Sequence, residues 1–176
     1  MAAIERPGSE EIAPYYVQYV ERVGAGDLIG ALNEASKRTE AILARIPKDM
    51  EAYRYAAGKW TIKEVFQHVI DSERIFAYRA LRFARKDATE LPGFEENDYA
   101  VNAATEHRTL KEITEELHVV RAGTVAFFAG CTPDMVTQIG VANGVRMSVR
   151  AIGWTIAGHA LHHMNVIEER YLHGQA

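Results

Sequence analysis

Apolar residues recur at helical spacing in four long stretches of this chain, with polar residues filling the opposite faces. The first stretch begins at Asp27, a residue type suited to capping a helix N-terminus. It runs through Leu28, Ala31, Leu32, Ala35, Ile42, Leu43 and Ile46 to Pro47. The second carries the best start signal in the sequence: Thr61 and Glu64 form a capping box, and Trp60 and Val65 occupy the two positions of a hydrophobic staple. Its buried side is read from Ile62, Val65, Phe66, Val69, Ile70, Phe76, Ala77 and Ala80, and the helix is expected to reach about Lys86. A second capping box, Thr109 with Glu112, opens a third helix that should stop near Gly130. Ser148 caps the fourth, which should run to about Leu172 with Gly174 just beyond its end.

The segments between these stretches are shorter or less regular. Glu10 to Val23 reads as a short amphipathic helix broken or entered at Pro14 and closed by Gly24-Ala25-Gly26. Lys48 to Lys59 is a connection, and Asp87 to Asn102 is expected to be a long loop turning at Leu91-Pro92-Gly93-Phe94. Cys131 to Met147 is open in type, but Asn143-Gly144 between alternating Ile139, Val141 and Val145, Met147 fits a small hairpin with a primed turn. Four long helices without a sheet pattern predict an all-α four-helix bundle, with a short N-terminal helix and a hairpin before the last helix. The chain length fits a single domain over residues 1–176, with the core bundle over about 27–172.

Charge and composition narrow the function classes. A net charge of −4 gives no electrostatic case for nucleic acid or an anionic membrane as partner. No apolar run is long enough to span a bilayer, and the N-terminus lacks the apolar core of a secretory signal, so a cytoplasmic location is expected. Cys131 is the sole cysteine, which excludes an internal disulfide and argues against a cysteine-based metal site.

The candidate chemistry lies in histidines. His159 and His163 are four apart, so they share one helix face with Cβ atoms about 5–6 Å apart. They fall within the apolar stripe of Val149, Ile152, Gly153, Ile156, Ala160 and Ile167, whereas His162 is rotated about 100° from His163. The pair therefore faces the bundle interior, either as two core histidines satisfied by neighbours or as two ligands of one metal ion. His68 lies at the edge of the buried side of the second helix, beside Val65 and Ser72. If that helix is adjacent, the three imidazoles form an open site whose ion would acidify a bound water or thiol. The ligand set also suits nickel, iron or copper.

Glu73 shares the stripe of Phe66, Val69 and Phe76 and is expected to point inward. It would either orient a ligand histidine or act as a base, or form a buried ion pair with Arg79, Arg82 or an arginine of a partner helix. Asp71, one turn after His68, defaults to a solvated acid, and Cys131 to a small apolar residue. Tyr15, Tyr16 and Tyr19 are read as packing the first helix onto the bundle or a subunit contact, and Tyr99 as a residue at a pocket mouth.

With these residues in view, the chain resembles the DinB/YfiT-like family of metal-dependent four-helix-bundle proteins along nearly its whole length. The resemblance rests on Gly58-Lys59-Trp60-Thr61-Ile62-Lys63-Glu64-Val65-Phe66-Gln67-His68 with Asp71-Ser72-Glu73-Arg74, on Leu91-Pro92-Gly93-Phe94, and on Gly158-His159-Ala160-Leu161-His162-His163. It implies that His68, His159 and His163 hold a divalent ion, zinc or nickel first, with iron and manganese as alternatives. It also implies a frequent homodimer and a small-molecule substrate. Some relatives are transferases that join a low-molecular-weight thiol to an electrophile, so a metal-activated thiol or water attacking a small electrophile is the expected reaction. A non-catalytic metal- or ligand-binding stress-response bundle is the alternative. Relatives often follow the paired histidines with Arg-Gly-Gln; here Met164-Asn165-Val166 stands in that place, which sets this chain in a different branch.

Overall fold

Helix capping sets the element boundaries. The structure, a computed structural model, describes residues 3–172. After a 3-10 turn at Ser9–Glu11, helix α1 spans Pro14–Val20, with Pro14 in its first turn where no intrahelical donor is needed. Helix α2 spans Leu28–Leu43, and the Asp27 carboxylate accepts from the Gly30 N–H at 2.8 Å. Helix α3 spans Ile62–Ala84. Its capping box is closed in both directions, Glu64 N–H to Thr61 Oγ1 at 3.1 Å and Thr61 N–H to Glu64 Oε2 at 2.6 Å.

Beyond α3 the expectation of one long loop fails in its second half, where Glu96–Asn102 forms helix α4. Only Ala100 of that helix is buried, so it carries no apolar stripe for a periodicity argument to find. Helix α5 spans Leu110–Ala129 behind the Thr109–Glu112 capping box, and a single turn, α6, spans Pro133–Val136. Strands β1 (Ile139–Ala142) and β2 (Val145–Ser148) pair antiparallel. Asn143 and Gly144 both take positive φ, 52° and 71°, as the primed turn requires. Leu91 bonds to the hairpin on both sides, its N–H to Val141 O at 3.0 Å and its carbonyl from Asn143 N–H at 2.9 Å. Helix α7 spans Val149–Val166 under the Ser148 cap and continues as a π-helical segment over Ile167–Leu172. Gly174 lies outside the described residues.

The four long helices form a closed ring of contacts in which α7 packs on α2 and α3, and α5 packs on the same two from the other side. Helix α1 lies against the outer face of α7. Consequently every residue from Ala151 to Ala160 is buried, and α7 is covered all round rather than along a single stripe. The close approach depends on Gly158, where a Cβ would fall 1.9 Å from the carbonyl oxygen of Tyr19. No helix among the described residues is long and apolar enough to cross a membrane.

The apolar core is split in two along the bundle axis. One cluster gathers Leu28, Leu32, Phe76, Phe83, Phe128, Ile152 and Trp154; the other gathers Ile42, Ile62, Phe66, Ile70, Ile113, Met164 and Ile167. Between them runs a buried polar layer. On its α5 side Arg121 donates through Nε and Nη2 to the two Glu73 oxygens at 2.8 and 2.7 Å, and through Nη1 to the Leu32 carbonyl at 2.9 Å. Both partners are almost fully buried, so the pair matters less for its attraction than for the charge left behind if one member is removed.

Two variants test this packing. Gly158→Ala gains about 1 kcal/mol of helix propensity. Because the clashing atom is backbone, the overpacking cost of about 1–3 kcal/mol or more should win and lower the urea midpoint. An unchanged or raised midpoint would contradict the α1–α7 contact. Arg121→Met should cost about 3–5 kcal/mol by stranding the Glu73 charge. The double variant with Glu73→Leu should recover much of that loss. A single variant as stable as the parent would show that the pair does not exist in solution.

Candidate metal centre

His68 sits in the second turn of α3, and His159 and His163 sit one turn apart in the second half of α7. Since α3 and α7 pack side by side, the three rings meet between them. His159 Nε2 is 3.1 Å from His68 Nε2 and 3.1 Å from His163 Nε2, and each of the three residues offers a nitrogen within 4.8 Å of the others. His68 and His159 are buried and His163 is nearly so.

This convergence is difficult to satisfy by hydrogen bonds among the rings. Each neutral imidazole has one N–H and one lone pair, so His159 Nε2 has a single in-plane site with which to meet two neighbours. A cation placed among the three nitrogens engages all three lone pairs at once. The spacing agrees: two nitrogens on a tetrahedral ion with bonds of about 2.0–2.1 Å stand about 3.3 Å apart.

Electrostatics keep the rings in the ligand form. Burial lowers the His68 pKa to about 4, with His162 adding to the effect. Burial, then the neighbouring imidazoles, pushes His159 and His163 well below the ordinary histidine value. All three are therefore neutral near pH 7, with lone pairs free to bind a cation. Aromatic rings close around them: Trp60 lies 4.7 Å from the His68 ring, and Tyr19 lies 5.4 Å from that of His159.

The remaining sequence candidates divide clearly. His162 is half-buried, packs against Tyr19 at 5.5 Å and stays outside the three-nitrogen cluster. Glu73 takes the ion-pair alternative, with an arginine of a partner helix, Arg121, on both oxygens. Asp71 accepts from Gln67 at 3.0 Å and is not part of the cluster. Burial raises the Cys131 thiol, which donates to the Phe127 carbonyl at 3.3 Å and lines a separate cleft with Arg150. Tyr99 packs on Phe94 at 5.1 Å and lines neither cleft beside the histidines.

Two clefts reach the cluster and share no lining residue. One, about 370 Å³, runs to His159 between α1 and α3, walled by Tyr15, Tyr16, Tyr19, Phe76 and Arg79. The other, about 280 Å³, runs to His163 past Trp60, His162 and Tyr171. Glu96 lines the first and Asn97 the second, so the first turn of α4 stands between their mouths. From sequence alone the α1 tyrosines read as packing or subunit-contact residues and Arg79 as a partner for Glu73. A signal was present: Ser72, Phe76 and Arg79 follow His68 at helical spacing on one face of α3, and these three line the first cleft.

YfiT from Bacillus subtilis, described as "a probable metal-dependent hydrolase with an unusual four-helix bundle topology", matches with a TM-score of 0.72 over 97% of this chain and 94% of its own, at 14% sequence identity. At that identity the likeness bears on the fold alone. No curated protein matches the sequence. The DinB superfamily profile matches residues 31–167, a span that holds all three histidines and most of the bundle. The chain belongs to the DinB superfamily.

Proposed function

We propose that the protein is a metal-dependent enzyme in which His68, His159 and His163 hold one divalent cation and a nucleophile is activated for attack on a small electrophile. The reading is carried by the three imidazole nitrogens, which converge at 3.1 Å contacts in a buried layer. When bound, such an ion supplies a positive charge that acidifies an adjacent water or thiol and polarises an adjacent carbonyl. No fourth protein ligand joins the cluster among the described residues, as expected of a reactive rather than a closed structural site.

The chain's own residues supply positioning. The two clefts give separate approaches, one to His159 and one to His163, which suits a reaction between two components. The nucleophile is then water, as in the description of YfiT, or a low-molecular-weight thiol. Tyr16 and Tyr19 in the first cleft are protonated at neutral pH, as ordinary phenols are, and burial raises both further. They are thus hydrogen-bond donors for a substrate oxygen that gains negative charge.

Metal analysis tests the ligand set. The wild type should hold about one equivalent of zinc or nickel. His68→Ala and His163→Ala should each lower affinity by more than the about 10–100-fold that an outer hydrogen-bond partner costs. Full retention in either variant contradicts the assignment. For catalysis, ester hydrolysis and thiol conjugation to a generic electrophile are measured before and after chelation. A rate that chelation abolishes and added metal restores is expected in one of the two assays. Metal bound stoichiometrically without such a rate would favour the binding-protein reading.

A further inference from the structure

Buried charges in this bundle have partners, with one exception. Glu11 is held by Arg150, and Glu73 by Arg121. Arg79, only 5% exposed, has no carboxylate within ion-pair distance among the described residues. Nη2 donates to the Pro92 carbonyl at 2.9 Å, and the guanidinium lies 5.7 Å from the Phe76 ring centre. The Tyr16 hydroxyl lies within reach of the guanidinium as a further partner, and no other protein group takes up its remaining N–H groups among the described residues. No fully buried polar side-chain atom lacks a partner among the described residues, so any unpartnered nitrogen of Arg79 keeps some exposure, and the residue lines the first cleft. A cation held out of bulk water without a counter-charge is costly, and a planar fork of donors facing a cavity matches a carboxylate.

The surroundings specify the rest of the ligand. Phe76 links the two ends of the cleft, its ring lying beside the Arg79 guanidinium and 6.3 Å from the His159 ring. Tyr16, Phe76 and Phe94 give the walls an aromatic character suited to an organic body rather than to a bare inorganic anion. Glu95 and Glu96 stand exposed at the rim and oppose a second negative group there. We propose that Arg79 is the anion-binding residue of this cleft and that the substrate is a small organic monocarboxylate whose other, reacting end faces His159. The identity of the reacting end rests on the proposed function; the anion contact does not.

Benzoate and its neutral counterpart benzamide are suitable probes, titrated calorimetrically into the purified protein with metal content measured on each sample. Benzoate should bind the wild type more tightly than benzamide does. Arg79→Met should weaken benzoate about 10- to 100-fold while metal content is unchanged. Arg79→Lys, which keeps the charge but not the fork, should fall between the two. Equal benzoate affinity in wild type and Arg79→Met overturns the proposal, since the anion would then be bound at the metal or elsewhere. So does equal affinity for benzamide, or no binding of benzoate to the wild type. Should Arg79→Met not fold, a crystal structure of the wild type with benzoate decides. A carboxylate on Arg79 supports the proposal, and a carboxylate anywhere else defeats it. A wild type that holds no metal yet binds benzoate through Arg79 defeats only the metal reading.

Discussion

Everything about this site depends on three neutral imidazoles brought nitrogen to nitrogen inside a helical bundle. Bringing polar nitrogens into a core is unfavourable unless each finds a partner. Here the rings cannot fully satisfy one another, and a shared cation, as proposed, would resolve the shortfall. The arrangement requires α3 and α7 to be neighbours and His159 and His163 to share a face. Aromatic residues pack beside the rings, Trp60 on His68 and Tyr19 on His159. Gly158 connects this packing to the backbone. Its missing Cβ admits the chain at Tyr19, which places the α1 tyrosines over the histidine beside it.

The polar layer accounts for the shape of the rest of the core. Apolar clusters lie above and below it, each contributed by the same long helices. On the α5 side the layer is closed by a two-pronged Arg121–Glu73 pair that bridges α5 and α3. On the α7 side it opens into two clefts. One cross-section of the bundle thus holds an ion-paired half around Glu73 and Arg121 and a half in which clefts reach the histidines.

Much of this was legible in the sequence because it is written locally. The capping boxes at Thr61 and Thr109 and the caps at Asp27 and Ser148 marked four helix starts to within a residue. Helical phase separated His159 and His163 from His162. Asn143-Gly144 signalled the hairpin through its demand for two positive φ angles. What was not legible depends on packing between distant segments. Helix α4 is short and almost wholly exposed, so its formation leaves no periodic trace. Nothing near Glu73 in the sequence singles out Arg121, 48 residues away, from the other arginines. The burial of α7 on all sides follows from α1 lying across it, and α1 owes that seat to a glycine in another helix. For the same reason the α1 tyrosines read as packing residues, although they also wall the first cleft.

X-ray absorption at the metal edge of the zinc- or nickel-loaded protein tests the central claim most directly, because it reports the ligand shell itself. The expected result is three imidazole nitrogens at about 2.0–2.1 Å for zinc, together with at least one exchangeable oxygen from solvent. A shell with fewer than three imidazoles, with a fourth from His162, or with the Cys131 sulfur would contradict the account.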